Sequence, residues 1–165
     1  MPSYGISTEL EGMLPWRFVS EQMTTSRNYW IATTRPDGRP HVAPVWGVWV
    51  DDAFYFGTGR TSRKARNLAA NPALVVHLES GDDTVILEGT AEVVTDEQLQ
   101  ADDLLTRLGD AYAAKYVNPE TGEPFRLEPD PTGSSVVYAL RAHMVLAWRE
   151  SDFPTSATRW RLPRV

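Results

Sequence analysis

His41-Val42-Ala43-Pro44-Val45-Trp46-Gly47-Val48-Trp49-Val50 is the most apolar run of the chain. Read as a strand, it carries Val42, Pro44, Trp46, Val48 and Val50 on one face and His41, Ala43, Val45, Gly47 and Trp49 on the other. Both faces are apolar, so neither is suited to water. A strand of a small closed barrel that also meets a partner or a ligand satisfies this requirement. Pro44 cannot donate to a ladder, which marks a bulge, an edge or a place where something docks against the backbone.

Upstream, Asn28 to Thr34 is aromatic and β-branched and reads as a strand, followed by a tight turn at Arg35-Pro36-Asp37-Gly38-Arg39. Between Thr8 and Thr25, Leu10, Met13, Leu14, Phe18 and Met23 recur at helical spacing, with Pro15 suited to the first turn. Met1 to Ser7 has no periodic signal and is expected to be disordered. Downstream, Asp51-Asp52 turns the chain into a strand at Ala53 to Phe56. Ala73 to Glu79 and Thr84 to Val94 are further strands joined by Ser80-Gly81-Asp82-Asp83. On Thr84–Val94, Val85, Leu87, Gly89, Ala91 and Val93 face one way, Glu88, Thr90 and Glu92 the other. Thr95-Asp96-Glu97-Gln98 starts a helix that buries Leu104, Leu105, Leu108, Tyr112 and Tyr116. Residues 118–135, rich in proline, form a loop longer than most intradomain connections, which suggests a lid or interface loop. Val136 to Trp148 is a long strand, and 149–165 is a polar, Arg-rich tail. The count is six strands with short turns and a few helices: a mainly β (α+β), antiparallel six-stranded barrel with helical insertions. It is expected to be one domain over 1–165, with an N-terminal helical segment at 1–26.

Between the strand at Ala53–Phe56 and Asn71-Pro72 lies Gly57-Thr58-Gly59-Arg60-Thr61-Ser62-Arg63-Lys64-Ala65-Arg66-Asn67-Leu68. Four of the sixteen basic residues fall within Arg60–Arg66, in a chain of net charge −6. With Ser62 as N-cap, Arg63 and Lys64 occupy the positive end of the helix dipole, which costs roughly 0.3–1 kcal/mol per charge. An anion there reverses the penalty, with backbone N–H groups, the Thr61 and Ser62 hydroxyls and the cations converging on a phosphate or carboxylate. Asn67 and Arg66 share the face of Arg63, while Ala65, Leu68 and Ala69 form the core-facing stripe. The alternative is a solvated basic helix face. The Gly-Thr-Gly approach and the placement of the cations favour the anion site.

Several function classes find no support. The chain has no cysteine, so thiolate chemistry and Cys-based metal sites are excluded. Its acidic balance opposes general nucleic-acid binding. There is no run of 18 apolar residues and no secretion-signal pattern over Met1 to Glu11, so the expectation is a cytoplasmic protein without a membrane span. His41, His77 and His143 lie on three separate strands and make a metal site unexpected. Neither Gly-x-Ser-x-Gly, the Walker A pattern nor Gly-x-Gly-x-x-Gly is present. Of the six tryptophans, Trp46 and Trp49 are closest to the anion site and are the candidates for lining a flat ligand's pocket.

The ordered set Arg35-Pro36-Asp37-Gly38-Arg39-Pro40-His41-Val42-Ala43-Pro44-Val45-Trp46, Phe54-Tyr55-Phe56, Ser62-Arg63-Lys64 and Asn71-Pro72 resembles the pyridoxamine 5′-phosphate oxidase-like split-barrel family. Thr158-Arg159-Trp160 echoes a C-terminal motif of that family. The resemblance implies an FMN-binding type of split barrel, a homodimer and two cofactors at the dimer interface. It assigns Ser62, Arg63 and Lys64 to the cofactor phosphate, with Thr58, Gly59, Arg60 and Asn67 beside them. Backbone groups along Val42, Ala43, Pro44, Val45, Trp46 and Gly47 would orient the ring. In the oxidases proper an Arg and a Lys on this strand grip FMN, and here those positions correspond to Ala43 and Val48. That departure points to the deazaflavin F420 branch, whose cofactor carries a phosphodiester and a polyglutamate tail suited to several cations. The implied activity is an F420-dependent oxidoreductase transferring hydride to or from a small organic substrate, with no catalytic side chain assigned. The alternatives are an FMN-binding oxidoreductase and a non-catalytic flavin-, haem- or tetrapyrrole-binding protein.

Overall fold

The structure, a computed structural model, describes residues 5–6, 10–127 and 130–163. The expectation for Met1–Ser7 falls mostly outside the described residues. Helix α1 (Trp16–Thr25) starts directly after Pro15, whose φ of −73° suits the position. It buries Phe18, Val19 and Met23. Leu10 and Met13 are exposed, so the helical periodicity read from Thr8 holds only from Trp16 onward.

The strands are β1 (Tyr29–Thr34), β2 (Pro40–Val45), β3 (Val48–Val50), β4 (Ala53–Gly59), β5 (Ala73–Leu78), β6 (Asp83–Val93), β7 (Ser135–Arg149) and β8 (Thr158–Arg161). They form one antiparallel sheet in the order β2-β1-β5-β6-β7-β4-β3, with β8 also paired to β7. The run 41–50, expected as one strand, is two. It breaks at Trp46-Gly47, and β2 and β3 are the two ends of that path. Two residues therefore join the opposite edges of the sheet, which curls back on itself as a barrel does. The expected cover on both faces is not found within this chain for β2, where Pro40, Val42 and Pro44 are exposed.

Eight strands replace the expected six for two reasons. The bend at Gly47 divides one strand, and the polar, Arg-rich tail read over 149–165 contains helix α5 (Phe153–Ser156) and β8. Trp160 of β8 meets Trp16 edge-on at 5.7 Å, and Thr158 Oγ1 accepts the Leu14 N–H at 2.8 Å, so this segment is tied to the start of α1.

Sequence alternation explains the two cores. Phe54 and Phe56 point inward to pack with Tyr29, Ile31, Val76, Leu87, Leu140 and Val145, while Ala53 and Tyr55 point outward beneath a helix. That helix is α4 (Leu104–Lys115), whose Leu108 and Tyr112, with the following Tyr116, complete the second cluster. Covering β4 on both faces buries all four residues 53–56; each large side chain contributes roughly 1.5–3 kcal/mol. The single helix expected after Thr95 is broken. α3 (Asp96–Gln100) begins with the expected capping box, Thr95 with Gln98, but Asp102 and Asp103 take φ of +51° and +53° before α4 starts. Leu104 and Leu105 are consequently only half-buried.

Candidate cofactor cleft

Helix α2 (Arg63–Ala70) begins as its sequence implies. Ser62 is the N-cap, and its hydroxyl accepts the Ala65 N–H at 3.2 Å and a hydrogen bond from Thr58 Oγ1 at 3.1 Å. Arg63 and Lys64 are the first two helical residues, and no acid lies in that turn. The approach to the helix is not a loose loop. Gly57, Thr58 and Gly59 continue β4, in register with Val137, Val136 and Ser135 of β7. One face assignment is corrected. Asn67 does not share the open face of Arg63 and Arg66; it is fully buried and donates to Thr33 Oγ1 at 2.9 Å, while its Oδ1 has no partner. Ala69, expected in the buried stripe, is exposed. The short helix turns Asn67 and Leu68 together onto β1.

Desolvation first, and then the charges of Arg35, Arg63 and Lys64, hold the His41 imidazole on β2 below its ordinary range. None of the three cations makes an ion pair among the described residues. Arg35 Nε is buried with no acceptor. Three cations and a histidine thus gather at the start of α2 with no ion pair to a carboxylate among the described residues.

Beside this cluster is a cleft of about 400 Å³ lined by Pro44, Val45, Trp46, Gly57, Lys64, Tyr112, Phe125, Arg126 and Leu127. Of the sequence candidates it brings together Pro44, Val45, Trp46 and Lys64. A Cβ added at Gly57 would meet only Leu127 Cδ1, at 4.0 Å, so the floor of the cleft is open there. Trp46 stacks on Tyr116 at 4.5 Å and 12°, with Phe125 at 5.2 Å. Tyr112 is pushed up by burial and keeps its phenolic proton.

Other candidates are placed elsewhere. Thr58, Gly59 and Arg60 line a neighbouring cleft of about 530 Å³ that shares Gly57 and Leu127 with the first. Arg60 Nε is held by the Gly133 carbonyl at 2.8 Å. Gly47 has its backbone occupied, its N–H donating to the Tyr116 hydroxyl at 2.9 Å, so this group does not serve a ring. Val42 and Ala43 lie on the outer part of β2, the sheet edge where Pro44 lacks its donor, as its position implied. Trp49 is removed from the cleft and packs on Trp16 at 6.5 Å, because it lies on β3 beyond the bend.

Tyr112, Phe125, Arg126 and Leu127 were not singled out as site residues by the sequence. Tyr112 reads as helix core, and residues 118–135 give no element signal. Only the unusual length of that loop hinted at a role over a site.

Residues 18–149 match the pyridoxamine 5′-phosphate oxidase family. Over 74 residues, 43% of the chain, it is 40% identical to a pyridoxine/pyridoxamine 5′-phosphate oxidase of Gluconobacter oxydans (strain 621H), of whose length it spans 37%. A conserved hypothetical protein of Mycobacterium tuberculosis is similar in structure, with 26% identity, a TM-score of 0.66, and coverage of 87% of this chain and 89% of that one. An F420 reductase shares the fold at 24% identity and a TM-score of 0.55, with 76% of this chain and 94% of the other covered.

Proposed function

The chain belongs to the pyridoxamine 5′-phosphate oxidase family, and from that premise we propose that it is an F420-dependent oxidoreductase, moving a hydride to or from a small organic substrate. The observation that carries this reading is the group of Arg35, Arg63 and Lys64 around His41, with no ion pair to any of the cations among the described residues. A diester with a polycarboxylate tail needs cations spread over more than one element, and these come from the β1–β2 turn and from α2. The residues present fit such a group. The cleft has the volume of an ordinary cofactor site, an aromatic wall and an open floor at Gly57.

Lys64, Arg63 and the Ser62 hydroxyl would hold the phosphate, and Trp46, Tyr112 and Phe125 would wall the ring. When bound, the deazaflavin supplies the hydride chemistry. Phe125 and Leu127 would shield a bound ring from water, Tyr112 holds its proton, and no side chain is assigned as a general base. The exposed edge of β2, with Val42 and Pro44 facing outward, would be covered by a second copy of the chain, giving a homodimer in the cytoplasm with a cofactor at each interface.

FMN is the second reading, favoured by one observation: the residues lining the cleft include two cations, Lys64 and Arg126, the second already paired with Asp110, a complement that suits one monophosphate better than a polyanionic tail. Titration of purified protein with F420 and with FMN, read by ring fluorescence, separates the two. F420 is expected to saturate, and replacing Arg63 and Lys64 with Ala should weaken it by about 1.5–3 kcal/mol for each charged hydrogen bond lost. Absence of a saturable change with F420 would overturn the reading; tight FMN binding and a yellow protein would establish the alternative.

A further inference from the structure

Of the sixteen Lys and Arg residues only Lys64 and Lys115 are lysines. Lys64 belongs to the cleft. Lys115, in the last turn of α4, has no part in it. Its Nζ donates to the Tyr29 hydroxyl at 2.6 Å and to the Gly47 carbonyl at 3.4 Å, 5.0 Å from the Tyr29 ring centre. Tyr29 gives its own proton to the Met23 carbonyl, so toward Lys115 it offers a lone pair. Among the described residues Lys115 Nζ has these two acceptor oxygens and the face of the Tyr29 ring, and no third oxygen for the remaining N–H of an ammonium. No carboxylate pairs with this amine among the described residues, and burial pushes it down to about 8. The titratable groups facing it are Arg27, Tyr29 and Tyr116, none of them acidic at neutral pH.

Lys115 lines a cavity of about 470 Å³ with Arg27, Val48, Trp49, Ala111 and Ala114. The Arg27 guanidinium lies over the rings of Trp46 and Tyr116, at 5.8 and 5.6 Å, and makes no ion pair among the described residues. The cavity therefore combines an amine, walls that are apolar except for Thr24 and Thr25, and a guanidinium that donates to the Lys115 carbonyl at 3.3 Å and has no carboxylate partner among the described residues.

We propose that Lys115 is a carbonyl-trapping residue: the cavity takes a small aldehyde bearing a carboxylate, the amine condenses with its carbonyl carbon, and Arg27 receives the carboxylate. The nitrogen lone pair forms the C–N bond as the carbonyl π bond opens, and one N–H proton passes to the oxygen. The second N–H proton leaves with that hydroxyl as water, and C=N forms. No oxidant or reductant takes part.

Two lysines and the amino terminus make the test clean. The full-length protein is treated with glyoxylate and cyanoborohydride, which reduces the imine to a stable amine, and the labelled peptides are identified by mass spectrometry. Lys115 is expected to label about tenfold faster than Lys64 at pH 8, with a steep loss of rate toward pH 6. Arg27→Gln should slow labelling by glyoxylate while leaving labelling by neutral propanal unchanged. Labelling of Lys64 but not of Lys115 in the folded protein would overturn the proposal. Equal slowing with both aldehydes would overturn the role of Arg27.

Discussion

Gly47 shows how one residue sets the closure of the sheet. Its φ is not in the left-handed region; its requirement is space. A Cβ there would lie 2.3 and 2.4 Å from two ring carbons of Phe54 and 2.8 Å from the Tyr55 carbonyl oxygen. Gly47→Ala must displace a buried ring and a backbone group, at a cost of about 1–3 kcal/mol. A lowered urea midpoint with unchanged slope is expected, and an unchanged midpoint would show that the bend relaxes freely. The same residue was legible in the sequence only as one apolar-face position of a strand. Nothing local announced that Phe54 would press against it, since that contact depends on β3 folding back on β4.

At the scale of the element, α2 is almost wholly written in its own residues. Ser62 caps it, and Asn71-Pro72 ends it by removing the next helical N–H. Ser62→Ala removes the acceptor of the Ala65 N–H and leaves Thr58 Oγ1 without its partner, and should cost about 1 kcal/mol in the ligand-free protein. Thermal unfolding measures it; a melting point equal to that of the parent would mean that the cap adds nothing. The burial of Asn67 was not legible, because helical spacing orders side chains around an axis without saying which face meets the sheet. The break at Asp102-Asp103 was likewise hidden. Both residues are common in helix starts, and only their left-handed backbone separates α3 from α4.

For the whole molecule the exposed edge is the issue. Val42 is 52% and Trp46 39% exposed on or beside an edge strand, an arrangement that favours pairing or cover. A homodimer through this face is expected by sedimentation equilibrium, and Val42→Asp should shift it toward monomer and weaken cofactor binding in parallel. A parent protein that sediments as a monomer at micromolar concentration would remove the dimer from the proposal.

By itself the sequence determined β1, β4, β5, β6 and β7, the tight turns at Asp37-Gly38 and Asp51-Asp52, the capped basic helix and the family, because alternation, turn chemistry and capping act over a few neighbouring residues. Only the tertiary structure decided that the apolar run bends to join both sheet edges, that the tail supplies β8, and that Tyr112 and Phe125 wall the cleft beside Lys64. It also decided that Tyr116, 69 residues away, holds the Gly47 backbone. Those outcomes depend on which distant surfaces pack against one another, and no local periodicity encodes the partner across such a separation.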